Sequence, residues 1–223
     1  MPVSKDYIFR QKDKNHLEFI GDFEGLYKNE NNTWGQDGKD NRLREYYKFS
    51  RNRIVKTLKD LRAPNNMSIL EVGCGLGYVL NEINKAVPKN NITGMDISPT
   101  AITKAKKLFP DYDYIVGDIC SKKLIFKKKF NVMLFNNILW YLLEDLPLVF
   151  ENIKHNIAKN GYIIFVQAFL KQQNYGVNVI DGFNGFIKNI LVNHPQYDLL
   201  KAEINYNKFI HHDGIILLKV KDT

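Results

Sequence analysis

The sequence predicts an α/β fold: a doubly wound sheet, mostly parallel, with helices on both faces and an antiparallel strand at the C-terminal end. Three observations carry this. From Met67 onward, short apolar runs alternate with stretches whose apolar residues recur at helical spacing, and that alternation builds a parallel sheet. A glycine-rich turn follows the first of the apolar runs. Near the end, Tyr197 to Tyr206 and Gly214 to Val220 read as two strands joined by a short loop, an antiparallel pair closing the sheet.

Residues 1 to about 40 are polar but rich in aromatic side chains (Tyr7, Phe9, Phe19, Phe23, Tyr27, Trp34), which fits loop with short helical pieces. Asp40 can cap a helix carrying Leu43, Tyr47, Ile54, Leu58 and Leu61 on one side and ending before Pro64. Ser68 to Val72 is a short buried strand. Val79, Leu80, Ile83 and Val87 are spaced for a helix stopped by Pro88. A second strand covers Asn91 to Met95. Ser98-Pro99 then provides a cap and a proline at the first helical position, with Ala101, Ile102, Ala105 and Leu108 as the apolar side. Tyr114 to Val116 and Phe130 to Phe135 are the third and fourth strands. Leu146, Val149, Ile153 and Ile157 line another helix, and Asn160-Gly161 turns into a fifth strand, Tyr162 to Val166. Phe183 to Val192 reads as a helix ending before His194-Pro195. The Lys-rich stretch from Lys122 to Lys129 reads as a solvated loop between the third and fourth strands.

Composition narrows the function classes. A chain of 223 residues with 44% hydrophobic and 25% charged residues can bury a core, which excludes wholesale disorder and a disulfide-stapled miniprotein. The formal charge of +8 favours an anionic ligand or partner. Much of that charge is lysine, 26 against six arginines, a bias expected of AT-rich bacterial DNA rather than of chemistry. All six arginines precede Pro64. Cys74 and Cys120 form no CxxC pair, which suggests a reducing compartment. The start lacks the apolar run of a secretory signal and no segment reaches the length of a membrane helix, so the expectation is a cytoplasmic protein with no membrane partner.

The glycine turn, Glu71-Val72-Gly73-Cys74-Gly75-Leu76-Gly77, lies between a strand and a helix, where glycines allow a tight fold and close approach of a ligand. A dinucleotide fingerprint needs a glycine where Tyr78 stands, and the Walker pattern's Lys and Ser/Thr are absent. What remains, acid-x-Gly-x-Gly-x-Gly, closely resembles the first motif of the class I S-adenosyl-L-methionine (SAM) methyltransferases. Gly94-Met95-Asp96-Ile97-Ser98 resembles their second motif, Val116-Gly117-Asp118-Ile119 the third strand end, and Phe130 to Asn137 and Lys159 to Phe165 the next two. The resemblance covers about residues 67 to 167 and implies a Rossmann-like fold with SAM as cofactor.

It also implies roles. Glu71 would hold the methionine amino group, the alternative being an acid facing solvent at a strand end. Gly73, Cys74, Gly75 and Gly77 would cradle the cofactor. Asp96 would accept the two ribose hydroxyls, Ile97 would lie beside the adenine, and Asp118 with Ile119 nearby would take the adenine amino group. Asn136 would lie beneath the methionine part. Residues 1–62 are expected to form a lid and substrate-recognition segment and 63–223 the SAM-binding domain. Trp34 or Tyr27 in the lid would shield the sulfonium charge by cation–π attraction, or simply pack on the core.

Methyl transfer to a hydroxyl usually needs a general base, and His is the natural one. Among His16, His155, His194, His211 and His212, the last two sit with Asp213 in the expected loop between the final strands; a catalytic pair and a solvated turn are both open readings. Tyr141 takes a position where many relatives carry His, and its neighbour Trp140 could stack on substrate or pack. Asn136-Asn137 supplies neutral amides, poor ligands for a hard cation, so no metal is expected. Arg42, Arg44, Arg51 and Arg53 could dock an anionic group or form a solvated face.

The leading expectation is therefore a methyltransferase acting on a small molecule, at a hydroxyl of a sugar, a nucleotide-linked sugar or a phosphorylated metabolite, and an anionic group on that molecule would suit the arginines. The alternatives are an N-methyltransferase of a small amine, a tRNA or rRNA methyltransferase, and a SAM-binding regulatory protein without catalysis. Nucleic acid is disfavoured because the basic residues are scattered and no RNA-binding module is visible.

Overall fold

The computed structural model describes residues 5–13, 17–61, 66–206 and 211–221. His16 and Pro64, named above, lie outside the described residues. Two compact units are distinguished, one comprising Met1–Asn66 and Gly73–Gly117, the other Met67–Val72 and Asp118–Thr223.

The first unit opens with a short helix, α1 (Lys5–Ile8), and a small antiparallel hairpin, β1 (Phe9–Gln11) with β2 (Leu17–Phe19), pairing Phe9 with Phe19. The sequence predicts only loop with short helical pieces here, without the hairpin. The two rings meet at 5.5 Å, and this cross-strand aromatic pair adds to the backbone bond from Ile20 N to Ile8 O in supporting a three-residue ladder. Helix α2 (Phe23–Asn29) is capped by the Asp22 side chain, and α3 (Asn41–Asp60) by Asp40, which accepts from the amides of Arg42 and Leu43, as the sequence predicts. After the glycine turn come α4 (Tyr78–Ala86), β4 (Asn91–Asp96), α5 (Pro99–Leu108) and β5 (Asp113–Val116), with β4 and β5 parallel. Ser98 caps α5 by accepting from Ala101 N, and Pro99 stands at its first turn. Leu26, Ile54, Leu58, Leu80, Ile83, Met95 and Ala105 form the unit's buried core.

The second unit holds β3 (Ser68–Val72), β6 (Phe130–Asn136), α6 (Leu146–Asn156), β7 (Ile157–Leu170), α7 (Gly182–Asn193), β8 (Tyr197–Asn205) and β9 (His211–Val220). β3 and β7 run parallel to β6, while β9 runs antiparallel to both β7 and β8. The seven-stranded sheet has the order β5-β4-β3-β6-β7-β9-β8, the mostly parallel sheet with an antiparallel C-terminal strand that the sequence predicts. Phe135 and Phe165 stack at 4.8 Å, and Phe186 meets Phe165 edge-on at 5.0 Å. All three are buried, each contributing about 1.5–3 kcal/mol of apolar burial.

Two boundaries differ from expectation. Ile157, assigned above to a helix, is extended and pairs with Phe130. The Asn160-Gly161 turn survives inside β7 as an irregularity: Asn160 is left-handed (φ 58°), and regular pairing resumes at Tyr162. The strand then runs on past Val166 to Leu170 because β9 supplies partners as far as His211.

The second correction concerns His211, His212 and Asp213, which are not a loop but the first residues of β9. They pair with Leu170, Phe169 and Ala168, and Asp213 pairs with Asn205 on its other side. Asp213-Gly214 resembles a turn, yet Gly214 answers a packing need. A Cβ there would lie 2.7 Å from the rings of both Phe169 and Phe183.

Candidate functional site

In the first unit the site is built around Asp96, at the end of β4. Its carboxylate is almost fully buried; Oδ2 accepts from Gly75 N at 2.8 Å and Oδ1 from Ser98 N at 2.9 Å. Burial pushes the carboxyl up from the ordinary range, and the Ser98 and Gly75 amides oppose that shift by stabilising the charged form. A carboxylate oxygen offers two lone pairs, so both oxygens keep acceptor capacity beyond these amides. Next to Asp96, Ile97 is 48% exposed, an apolar side chain presented beside a buried acid.

The turn is tied to β4 by Cys74 N donating to Met95 O and closed by Gly77 N donating to Cys74 O. Gly75 and Gly77 both lie in the left-handed region (φ 53° and 81°), where any side chain would be strained. Space is short as well: a Cβ on Gly77 would meet the Tyr114 hydroxyl at 2.8 Å. Cys74 is buried, and its Sγ lies 2.7 Å from where a Cβ on Gly94 would be, so its side chain packs toward β4. Its backbone shapes the turn.

The N-terminal segment lies directly on this turn. Tyr27, on α2, is buried with Leu76 and Ala101, with Trp34 and Tyr78 packed around them. Trp34 Nε1 donates to Tyr27 Oη at 2.9 Å, and Tyr47 Oη donates to the Trp34 carbonyl at 2.6 Å. Trp34 and Tyr27 are thus placed at the turn, where both a packing and a capping role were open from sequence.

Glu24 was missed by the sequence reading. It accepts from Ser98 Oγ at 2.5 Å, from Thr100 N at 3.1 Å and from Thr100 Oγ1 at 2.7 Å, clamping α2 to the N-terminus of α5. Those bonds hold its carboxyl down at about 2. Lys104 completes the clamp, donating to the carbonyls of Tyr27 and Glu30 at 2.6 and 2.9 Å. One signal was available: α5 has no acid in its first turn, so the positive end of its dipole invites one from elsewhere.

In the second unit, Glu71 is buried in β3, which removes the solvent-facing alternative. Asp118 is half-buried, and its Oδ1 accepts from Cys120 N at 2.8 Å. Ile119 is buried, with its carbonyl accepting from Asn152 Nδ2. Burial and the charges of Asp118 and Asp145 push the Cys120 thiol up to about 12, so it stays protonated. Asn136 ends β6. Asn137 follows in the left-handed region (φ 56°) and ties β6 to β7, its N donating to Val166 O and its Oδ1 accepting from Ala168 N. Tyr141 is half-buried in the 3-10 turn Leu139–Tyr141. Trp140 packs edge-on against Phe169 and donates to Ala168 O at 3.0 Å, committing it to the scaffold.

His212 pairs with Phe169 in the ladder, and its ring meets Tyr206 edge-on at 4.6 Å. It borders a hollow of about 240 Å³ with Lys171, Asp181 and Tyr206. His211 belongs to β9, and its side chain lies outside the described residues. Among the described residues, no helix is long and apolar enough to cross a membrane.

Strand order, a glycine turn after β3 and an acid at the end of β4 define a Rossmann-like α/β domain of the nucleoside-binding type. The chain belongs to the methyltransferase-domain family, whose model matches residues 64–184. It is 26% identical over 168 residues to the putative methyltransferase 235L of Invertebrate iridescent virus 6, covering 74% of this chain and 61% of that protein. It is 29% identical over 105 residues to the malonyl-[acyl-carrier protein] O-methyltransferase of Bacillus anthracis, covering 46% and 38%. The chain thus spans less than two thirds of the length of these relatives. Its fold is similar to that of the N-methyltransferase NodS of Bradyrhizobium japonicum WM9, solved with S-adenosyl-L-homocysteine. That match has a TM-score of 0.67 and 15% identity, and covers 89% of this chain and 98% of NodS.

Proposed function

We propose that the protein is a SAM-dependent methyltransferase that methylates an oxygen of a small molecule, a hydroxyl of a sugar, a nucleotide-linked sugar or a phosphorylated metabolite. The observation that carries the reading is the buried Asp96 carboxylate, oriented by the amides of Gly75 and Ser98 and flanked by exposed Ile97. These residues fit a nucleoside: an acid with remaining acceptor capacity for ribose hydroxyls, an apolar surface for a base, and a turn too crowded for side chains at Gly75 and Gly77. SAM supplies a methyl group already activated on a sulfonium, so the protein's task is largely to position the acceptor and exclude water.

Asp96 orients the ribose and Ile97 covers the adenine; Asp118 accepts from its amino group. Glu71 and Asn136 hold the methionine end, and Gly73, Cys74, Gly75 and Gly77 shape the cradle. Trp34 and Tyr27, fixed by the Glu24 and Lys104 clamp, keep water from the turn. A proton leaving an acceptor hydroxyl passes to His212, His211 or Tyr141. The relation to an O-methyltransferase supports oxygen over nitrogen as the receiving atom.

The test has two parts. Calorimetric titration with S-adenosyl-L-homocysteine is expected to show binding at one site per chain. A panel of sugar precursors, phosphorylated metabolites, small amines and RNA, assayed for S-adenosyl-L-homocysteine formation, is expected to give turnover with a hydroxyl compound. Turnover with an amine or RNA alone overturns the acceptor assignment, and binding without any turnover overturns catalysis.

A further inference from the structure

Helix α3 carries Arg44, Lys48 and Arg51 at spacings of four and three, which brings them to one face. All three line a cleft of about 220 Å³, together with Tyr47, Gln36 and Glu82. Glu82 is the only carboxylate bordering it among the described residues, and it is engaged by Lys85 at 3.2 Å. The lining side chains thus carry three cations against one carboxylate, with Glu45 3.9 Å from Arg44 and Asp37 close enough to act on Tyr78.

Arg51 is held in place more firmly than a surface arginine. Its guanidinium lies 5.3 Å from the ring centre of Tyr47 and 5.6 Å from that of Tyr78, and it reaches the Gln36 carbonyl and side chain at 3.4 Å. Two aromatic faces fix a flat cation at little entropic cost on binding, which is what a built anion site requires and a solvated helix face does not. By contrast Arg42 is exposed and lines no such cleft, and Arg53 lies over Phe49.

The cleft is linked to the glycine turn through Tyr47, which lines it, and through Tyr78, whose ring lies under Arg51. Tyr78 follows Gly77 directly and begins α4. Tyr47 is bonded to the Trp34 carbonyl, Trp34 to the Tyr27 hydroxyl, and that hydroxyl abuts Gly75. A chain of side-chain contacts thus runs from the cleft to the glycine turn.

We infer that this cleft binds the carboxylate or phosphate of the methyl acceptor, with Arg51 as its ordered cation and the exposed Arg44 and Lys48 supplying further charge. The inference rests on the methyltransferase reading and names the chemical class of its acceptor. The methionine carboxylate of the donor offers the same chemistry, so the experiment separates the two sources.

The full chain, saturated with S-adenosyl-L-homocysteine, is titrated calorimetrically with malonate and with inorganic pyrophosphate. Saturable binding of at least one anion is expected. It should weaken by about tenfold in Arg51→Lys, which loses the flat guanidinium held over the Tyr47 and Tyr78 rings, and as much in the double variant Arg44→Gln/Lys48→Gln. Arg44 and Lys48 are exposed, so the double variant keeps its fold whatever happens at Arg51. Affinity for S-adenosyl-L-homocysteine should stay within about twofold throughout, since none of the three residues is assigned to the donor. Absence of saturable anion binding, or anion affinity unchanged in both variants, overturns the inference. A parallel loss of S-adenosyl-L-homocysteine affinity overturns it too, assigning the cleft to the donor's carboxylate. Failure of the wild-type chain to bind S-adenosyl-L-homocysteine overturns the methyltransferase reading instead, and the anion titration is then read on the chain alone.

Discussion

The hydroxyl of Tyr27 lies 2.7 Å from the position that a Cβ on Gly75 would occupy. Tyr27 and the turn are therefore fitted to each other, and Gly75 is doubly constrained, by that contact and by its left-handed φ of 53°. Gly75→Ala is expected to lower stability by about 1–3 kcal/mol in denaturant unfolding, the usual cost of a non-glycine residue forced into this region. Removing the hydroxyl in Gly75→Ala/Tyr27→Phe should recover part of the loss. A strictly additive double variant would show that the steric contact carries none of it.

Asp96 makes a second, independent prediction. Asp96→Ala removes the acceptor for two buried amides and, on the proposed reading, for the ribose hydroxyls. Affinity for S-adenosyl-L-homocysteine should fall at least about 100-fold, or roughly 2.7 kcal/mol. Near-normal affinity in a calorimetric titration of the folded variant would sink the nucleoside assignment.

The Glu24 clamp predicts a pH dependence. Its carboxyl is held at about 2 in the folded chain, below the ordinary 4.5, chiefly by the Ser98 and Thr100 bonds. A depressed carboxylate contributes stability that is fully present above its unfolded value and lost as pH falls through the folded one. The melting temperature should therefore drop between about pH 4.5 and pH 2, and Glu24→Gln should flatten that part of the profile. Equal slopes in the two proteins would mean the clamp does not couple to folding.

How far the sequence reveals these features follows the range of the interactions. Asp40 and Ser98 announce their helices because a cap is satisfied within three residues. Asp96 is legible for a different reason, the motif it resembles, since one of its partners, Gly75, lies 21 positions away. Glu24 is not, since its partners lie 74 and 76 positions away and nothing near it in sequence marks the need. Gly214 misleads in the opposite direction. Next to an aspartate it looks like a turn, whereas the rings of Phe169 and Phe183 demand the missing side chain. The extension of β7 to Leu170 likewise depends on β9, a partner that local propensity cannot announce.

That extension bears on the last prediction, because it carries His212 to the end of β9 beside the hollow with Lys171 and Asp181. If His212 takes the acceptor proton, His212→Ala should lower turnover by about 10²-fold or more and leave S-adenosyl-L-homocysteine affinity unchanged. Tyr206→Leu removes only the ring that packs edge-on against it and should have the smaller effect. Tyr141→Phe and His211→Ala, measured beside them with the acceptor found in the turnover screen, separate the three candidates. A loss confined to Tyr141→Phe moves the base to the turn after β6, and one confined to His211→Ala moves it one residue along β9. Undiminished rates in all three remove the need for any side-chain base and leave catalysis to positioning alone.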